Sequence, residues 1–392
     1  MRIAIFSDTY PPQINGVSTS TYNLVKALRD RGEDVLLVTV NTNEGEKTII
    51  DGNNIFIPGL VLKKLYGYRV TWIYNSKVFK FVKNWKPDII HYQTDAPIGI
   101  FARIVAKKLK LPIVYTYHTW YADYTHYATK GYFDRFAKKM VQLYSLSLAK
   151  NTTEFITPSN KTKESLRMFG ADSYINIVPT GIDFSLFKKE NLDQEKINSI
   201  KKELNINEDD FVFLILGRLA KEKSMDVSIR GVGEFKKKYP DLKIKLVIVG
   251  MGPAYESLRK LVKDCGLEDV TVFTGAKPAS EVPLYYNLAD IYTSASLTET
   301  QGLTFMEAMA AGAFVLARFD DNLTGTIEDN ETGFFFTDEQ SFIKKAYQVY
   351  TMTKEEKERI EKNAYKIIEQ YSIDTFYDNV METYHRGIKA YW

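Results

Sequence analysis

The sequence has 392 residues, of which 45% are hydrophobic and 26% charged, with a formal net charge of +3. At about 150 residues per domain this length predicts two or three globular domains, and the composition excludes disorder, collagen-like repeats and coiled coil as the main architecture. The one cysteine, Cys265, excludes an intrachain disulfide and a multi-cysteine zinc site and fits a reducing compartment.

The first apolar run, Arg2–Phe6, is strand-like and too short for a signal-peptide core. No stretch reaches about 18 apolar residues, so the expectation is a cytoplasmic chain without a spanning helix. After a Tyr-Pro-Pro-Gln-Ile-Asn turn, a helical pattern runs from about Ser18 to Arg31 and stops at Gly32. Strands are predicted at Asp34–Val40, Asn54–Pro58, Ile89–Tyr92, Ile113–Tyr117, Glu154–Thr157 and Ile175–Val178. Helices fall between them at Ile98–Leu109, Phe133–Ala149 and Asn160–Phe169. A polar break, Lys188–Asp210, holds a weak helix near Ile197–Leu204. Strands then return at Phe211–Leu216, Ile244–Val249, Val270–Phe273, Ile291–Thr293 and Phe314–Ala317, with helices at Ser224–Tyr239, Ala254–Cys265, Glu281–Asn287 and Gly302–Ala311. From Asp338 onward the pattern is helical. The alternation predicts two α/β domains with mostly parallel sheets and a helical tail.

Charge is unevenly spread. Leu60–Lys150 holds 16 Lys/Arg against 4 Asp/Glu, an excess of 12, so the rest of the chain sums to −9. The basic residues Lys63, Lys64, Arg69, Lys77, Lys80 and Lys83 alternate with aromatics such as Trp72 and Trp85. Three readings fit: an anionic lipid surface, a nucleic-acid surface, and a solvated amphipathic helix with its aromatics in the core.

Four constellations carry chemistry. The Asp8–Val17 segment joins the first strand to the first helix, where Gly16 lets backbone approach a ligand; a plain structural turn is the alternative. Gly217-Arg218-Leu219-Ala220-Lys221-Glu222-Lys223 follows the first strand of the second domain. Arg218 and Lys223 are placed to clamp a diphosphate, or else belong to a solvated loop. Glu299 and Glu307 flank a helix start at Gly302, suited to sugar hydroxyls and a phosphate, or simply to the helix dipole. His118 ends a strand at a polar loop, and His126 follows in that loop; His91 and His385 read as structural. No metal-ligand spacing is evident, and Cys265 has no catalytic partner.

In this order, these elements and Val178-Pro179-Thr180-Gly181-Ile182-Asp183 resemble the retaining family-four glycosyltransferases of the glycosyltransferase-B fold, over nearly the whole chain. Tyr117-His118-Thr119-Trp120-Tyr121-Ala122-Asp123-Tyr124-Thr125-His126-Tyr127, with Lys130-Gly131-Tyr132-Phe133-Asp134, is similar to the bacterial diacylglycerol glucosyltransferases. The resemblance implies two Rossmann-like domains facing a cleft. Residues 1–187 would bind acceptor and membrane, 188–370 would bind nucleotide sugar, and a helix in 371–392 would cross back to the first domain. It implies that Arg218 and Lys223 bind the diphosphate and Glu307 the ribose. Glu299, with the amides of Gly302 and Leu303, would hold the donor sugar, approached by Gly16 and His118. His118, Glu299, Arg218 and Lys223 form the implied catalytic set. Family members usually carry Gly-Gly where this chain has Asn15-Gly16.

The implied reaction moves a hexose with retention from UDP-glucose or UDP-galactose to the 3-hydroxyl of 1,2-diacylglycerol. It needs no metal or other cofactor and no nucleic acid, and takes place at anionic lipid on the cytoplasmic face of a membrane. Rival readings are the same fold acting on a soluble or polyprenyl-linked acceptor, a sugar-nucleotide epimerase, and a non-catalytic sugar-nucleotide-binding protein. The intact Arg218/Lys223/Glu299/Glu307 set speaks against the last.

Overall fold

A computed structural model describes residues 1–13, 15–42, 47–62, 68–118, 134–297, 299 and 301–392. The chain forms two compact units, Met1–Gly181 with Ile373–Trp392, and Ile182–Ser372. The sequence places the division after Phe187. The structure places it at Gly181 because Ile182, Phe184 and Phe187 are buried in the core of the second unit.

The first unit holds an eight-stranded sheet. In chain order its elements are β1 (Arg2–Ser7), α1 (Gly16–Asp30), β2 (Asp34–Val40), β3 (Ile49–Asp51), β4 (Asn54–Ile57), β5 (Leu60–Leu62), β6 (Tyr68–Val70), α2 (Ser76–Trp85), β7 (Ile89–Tyr92), α3 (Pro97–Leu109), β8 (Ile113–Thr116), α4 (Asp134–Lys150), β9 (Glu154–Thr157), α5 (Asn160–Met168) and β10 (Ile175–Ile177). The strand order is β10-β9-β8-β7-β1-β2-β4-β3, parallel except for β3, while β5 and β6 pair as a separate antiparallel hairpin. Burial on both faces explains why the strands read as continuous apolar runs. In β1, Ala4 and Phe6 enter one core and Ile3 and Ile5 the other, the period-two alternation of a strand. Burying each large apolar side chain contributes about 1.5–3 kcal/mol. The three-residue strands β3, β5 and β6 are absent from the sequence reading, being too short to show an alternation.

The C-terminal helix, Ile373–Tyr391, belongs to this first unit. Phe376, Val380 and Tyr384 bury against Leu24, Leu28 and the second core face. Arg386 grips the buried Glu154 at the base of β9 with two hydrogen bonds, Nε to Oε1 at 2.9 Å and Nη2 to Oε2 at 3.1 Å. Arg31 pairs with Asp374. A Cβ on Gly181 would lie 2.4 Å from the Phe376 Cβ, so the chain leaves this unit where only glycine fits.

The second unit contains α6 (Gln194–Glu203), β11 (Phe211–Leu216), α7 (Met225–Lys238), β12 (Ile244–Val249), α8 (Tyr255–Asp264), β13 (Thr271–Gly275), α9 (Val282–Tyr286), β14 (Ile291–Ser294), α10 (Leu303–Ala310), β15 (Phe314–Arg318), β16 (Phe334–Phe336), α11 (Glu339–Thr351) and α12 (Lys354–Ile368). Its six strands are all parallel, in the order β13-β12-β11-β14-β15-β16. Phe211, Phe213 and Ile215 face one core, and Val212 and Leu214 the other.

In each sheet the winding reverses beside the first strand of its unit, between β1 and β7 in one and between β11 and β14 in the other. Loops at the carboxyl ends of strands at such a reversal are where open α/β sheets bind ligands.

Candidate active site

The second unit's reversal gathers the charged residues singled out in the sequence. The loop after β11 begins at Gly217, whose φ of 145° suits glycine. Gly250, at the end of the adjacent β12, lies so close that a Cβ there would fall 1.9 Å from the Gly217 carbonyl oxygen. The loop carries Arg218, ion-paired with Glu222, and Lys223, whose Nζ lies 2.6 Å from Glu299 Oε1. The Glu299 side chain is 16% exposed and that of Lys223 31%, so this pair is shielded yet still open to solvent on one side.

Glu299 lies in the loop after β14. Gly302, at φ 73°, then caps α10 without a side-chain hydrogen bond. A Cβ on Gly302 would meet the Phe305 ring at 2.8 Å. The first turn of α10 therefore presents its backbone N–H groups with no capping side chain, an arrangement that favours an anion. Glu307 sits in the second turn of α10, half-buried, and accepts a 3.0 Å hydrogen bond from the Tyr286 hydroxyl. Burial pushes its carboxyl up to about 7, and the Tyr286 hydrogen bond opposes that rise. Glu222 and Tyr286 are partners that the sequence reading missed. Nothing in the sequence marks either: Arg218 and Glu222 lie four apart in a loop rather than on a helix, where that spacing alone does not bring side chains together, and Tyr286 sits on a separate short helix.

The first unit's reversal is built differently. The Asp8 carboxylate is buried and accepts hydrogen bonds from Thr94 Oγ1 at 2.6 Å and from the Ile98 N–H at 3.0 Å, at the N-terminus of α3. Burial raises its pKa against those hydrogen bonds. Asn15 caps α1: its Oδ1 accepts from the Ser18 N–H at 2.9 Å and from Thr9 Oγ1 at 3.2 Å. That role explains an asparagine where Gly-Gly is usual, since Asn is among the best N-caps. Gly16 opens α1 with no atom within 4 Å of where a Cβ would stand, so backbone there is approachable. His118 follows β8, with Nε2 2.7 Å from Gln93 Oε1, and burial lowers its pKa to about 4.

The basic, aromatic stretch resolves into a hairpin and a helix. On α2, Val78 and Val82 face the core while Lys77, Lys80 and Lys83 are exposed. Trp72 is 80% exposed, beside the exposed Ile73 and Tyr74, and Leu60 of the hairpin is 71% exposed. Arg69 is half-buried. Trp85 differs from expectation: it is half-buried and packs on the core, because it lies on the helix flank next to Val82. Lys63, Lys64 and His126 lie outside the described residues. Among the described residues, no helix is long and apolar enough to cross a membrane, and no three His, Cys, Asp or Glu cluster as metal ligands.

The model for Glycosyltransferase Family 4 matches residues 14–186, and that for Glycosyl transferases group 1 matches residues 196–367. The chain is 35% identical over 349 residues to the alpha-monoglucosyldiacylglycerol synthase of Acholeplasma laidlawii, covering 88% of this chain and 87% of the relative. The chain belongs to the family-four glycosyltransferases. A second synthase of the same name, from Streptococcus pneumoniae, is 32% identical over 333 residues, 85% of this chain and 74% of the relative. Among solved structures, Anabaena Alr3699/HepE in complex with UDP and glucose superposes with a TM-score of 0.74 at 18% identity, covering 98% and 99% of the two chains. The fold is therefore that of a glycosyltransferase-B enzyme, with both sheets of this glycosyltransferase carrying polar residues at their winding reversals.

Proposed function

We propose that this glycosyltransferase moves a hexose, glucose in the first instance, from its UDP donor to the 3-hydroxyl of 1,2-diacylglycerol at a membrane surface, with retention. The observation that carries the reading is the assembly of Arg218, Lys223, Glu299, Gly302 and Glu307 at one sheet reversal. The names of the two synthase relatives support the lipid acceptor.

In this reading the donor diphosphate displaces the carboxylates now paired with the cations. Arg218 and Lys223 take the phosphate oxygens, aided by the backbone amides of Gly302 and Leu303. Glu299, released from Lys223, and the first-unit residues Gly16 and His118 meet the donor and its sugar, while Glu307 accepts from the ribose hydroxyls. The bond from the anomeric carbon to the diphosphate oxygen breaks as charge develops on that oxygen, where the two cations stabilise it and no metal ion is required. The acceptor oxygen bonds to the anomeric carbon on the same face, and its proton passes to the departing phosphate oxygen.

Lys77, Lys80 and Lys83 meet anionic head groups beside Trp72, Ile73 and Leu60, giving a peripheral attachment on the cytoplasmic face. Product analysis tests the whole reading. Incubation with UDP-glucose or UDP-galactose and diacylglycerol micelles, followed by lipid extraction and proton NMR, should give an α-glycoside at the glycerol 3-position. A β-linked product would remove retention, and hexose delivered only to a soluble sugar would remove the lipid acceptor.

A further inference from the structure

A row of buried polar groups runs through the first unit and ends at His118. It starts on the C-terminal helix at Tyr384, which is fully buried. His91 Nδ1 lies 2.6 Å from the Tyr384 hydroxyl, and His91 Nε2 lies 2.7 Å from Thr116 Oγ1 and 2.8 Å from Gln93 Nε2. Gln93 Oε1 then lies 2.7 Å from His118 Nε2. His91, Gln93 and Thr116 are all buried, whereas His118 keeps part of its surface exposed at the carboxyl edge of the sheet.

With the Gln93 nitrogen toward His91 and its oxygen toward His118, donor and acceptor counting fixes the protons. Gln93 Oε1 only accepts, so His118 Nε2 carries a hydrogen. Gln93 Nε2 only donates, so His91 Nε2 is bare and His91 donates from Nδ1 to Tyr384. A second proton on His91 would set its Nε2–H against the Gln93 N–H. The row is thus built for neutral rings, in line with burial lowering His91 to about 3 and His118 to about 4. A buried histidine needs only two partners, and Tyr384 and Thr116 already supply them. Gln93 is a third partner, and its other end reaches the ligand-binding edge of the sheet.

We propose that Gln93 is a positioning residue: held by His91, Thr116 and Tyr384, it fixes the ring orientation and tautomer of His118, leaving Nδ1 as the acceptor for a substrate hydroxyl. The C-terminal helix thereby becomes part of the sugar-recognition apparatus of the first unit, through a residue that touches no substrate. A bare Nδ1 selects a hydroxyl donor on the substrate over an anionic group. The proposal rests on the reading above in taking the donor sugar as the group that His118 meets.

Nitrogen-15 NMR of the histidine rings in the full chain tests it without any substrate. Wild type should show His118 as a single tautomer protonated on Nε2 between pH 6 and 8. Gln93→Leu should give a tautomer mixture, and Tyr384→Phe a smaller change in the same direction, with thermal melts confirming that both variants are folded. Gln93→Leu should also lower kcat about tenfold, the size of one net hydrogen bond, with UDP affinity unchanged. If Gln93→Leu does not fold, Tyr384→Phe carries the test. A His118 tautomer mixture in wild type, or a tautomer unmoved by either substitution, would overturn the proposal. A locked His118 in a protein that transfers no hexose would instead remove the functional reading of the preceding section.

Discussion

The two units place polar residues at equivalent points of similar sheets and use opposite chemistry there. At the β11/β14 reversal the residues are charged or readily titrated: Arg218 with Glu222, Lys223 with Glu299, and the Glu307 carboxyl, which burial raises to about 7. At the β1/β7 reversal they are mostly neutral donors and acceptors: Asn15, Gln93, His91 and His118, with Asp8 spent on the N-terminus of α3. The fold supplies the location and the side chains supply the selectivity. Ions suit a diphosphate, neutral groups suit hydroxyls, and the basic surface of α2 suits an anionic membrane.

The largest effect is expected at the ionic set. Lys223→Ala or Arg218→Ala should lower kcat/KM for the donor by about 10²–10³-fold, the cost of removing one group that stabilises developing charge. Steady-state transfer from labelled UDP-glucose measures it, and vesicle binding should stay at the wild-type level. The complementary change is the triple variant Lys77→Gln, Lys80→Gln, Lys83→Gln. At about 1 kcal/mol per lysine near an anionic surface, its affinity for anionic vesicles should fall by about 10²-fold at low salt in flotation assays. Its affinity for UDP should not change.

Glu307 sharpens the contrast through pH. Burial raises its carboxyl to about 7, so under the proposed reading it loses, as pH falls, the charge that would accept ribose hydroxyls. The donor KM should rise about tenfold for each pH unit below 7, and Glu307→Gln should abolish that dependence. Stability runs the other way. The folded protein holds this proton more tightly than the unfolded chain, so the contribution is fully present below about pH 4.5 and is lost as pH rises through 7. Urea denaturation at pH 5 and pH 8 should show that slope in wild type and not in Glu307→Gln. The smallest effect belongs to Asn15→Gly, which restores the usual glycine pair. It should cost a few tenths of a kcal/mol in the same denaturation assay, against about 1 kcal/mol for Asn15→Ala.

Much of this was legible in the sequence because the elements are long and periodic. Asp34–Val40, Ile89–Tyr92, Glu154–Thr157, Phe211–Leu216 and Ile244–Val249 fall at the bounds read from their apolar runs. The short strands Leu60–Leu62 and Phe334–Phe336 lack enough residues to show a period. Arg218, Lys223, Glu299 and Glu307 stood out because loop-plus-helix signals place them at strand ends. Tyr286 and the His91–Gln93–Tyr384 row were invisible because their meaning lies in partners far apart in sequence, such as His91 and Tyr384, 293 positions apart. Trp85 shows the limit of composition: it counts as an interfacial aromatic in the sequence and packs on the core in the structure.

The most direct test of the account is the initial rate of label transfer from UDP-glucose into the lipid phase, measured at fixed diacylglycerol against a rising fraction of anionic lipid. If the lysine face of α2 docks on anionic lipid, lipid-soluble product forms at a rate that climbs with anionic lipid in wild type and stays nearly flat in the triple lysine variant. A wild-type rate indifferent to anionic lipid, or label appearing only in water-soluble sugar, would contradict it.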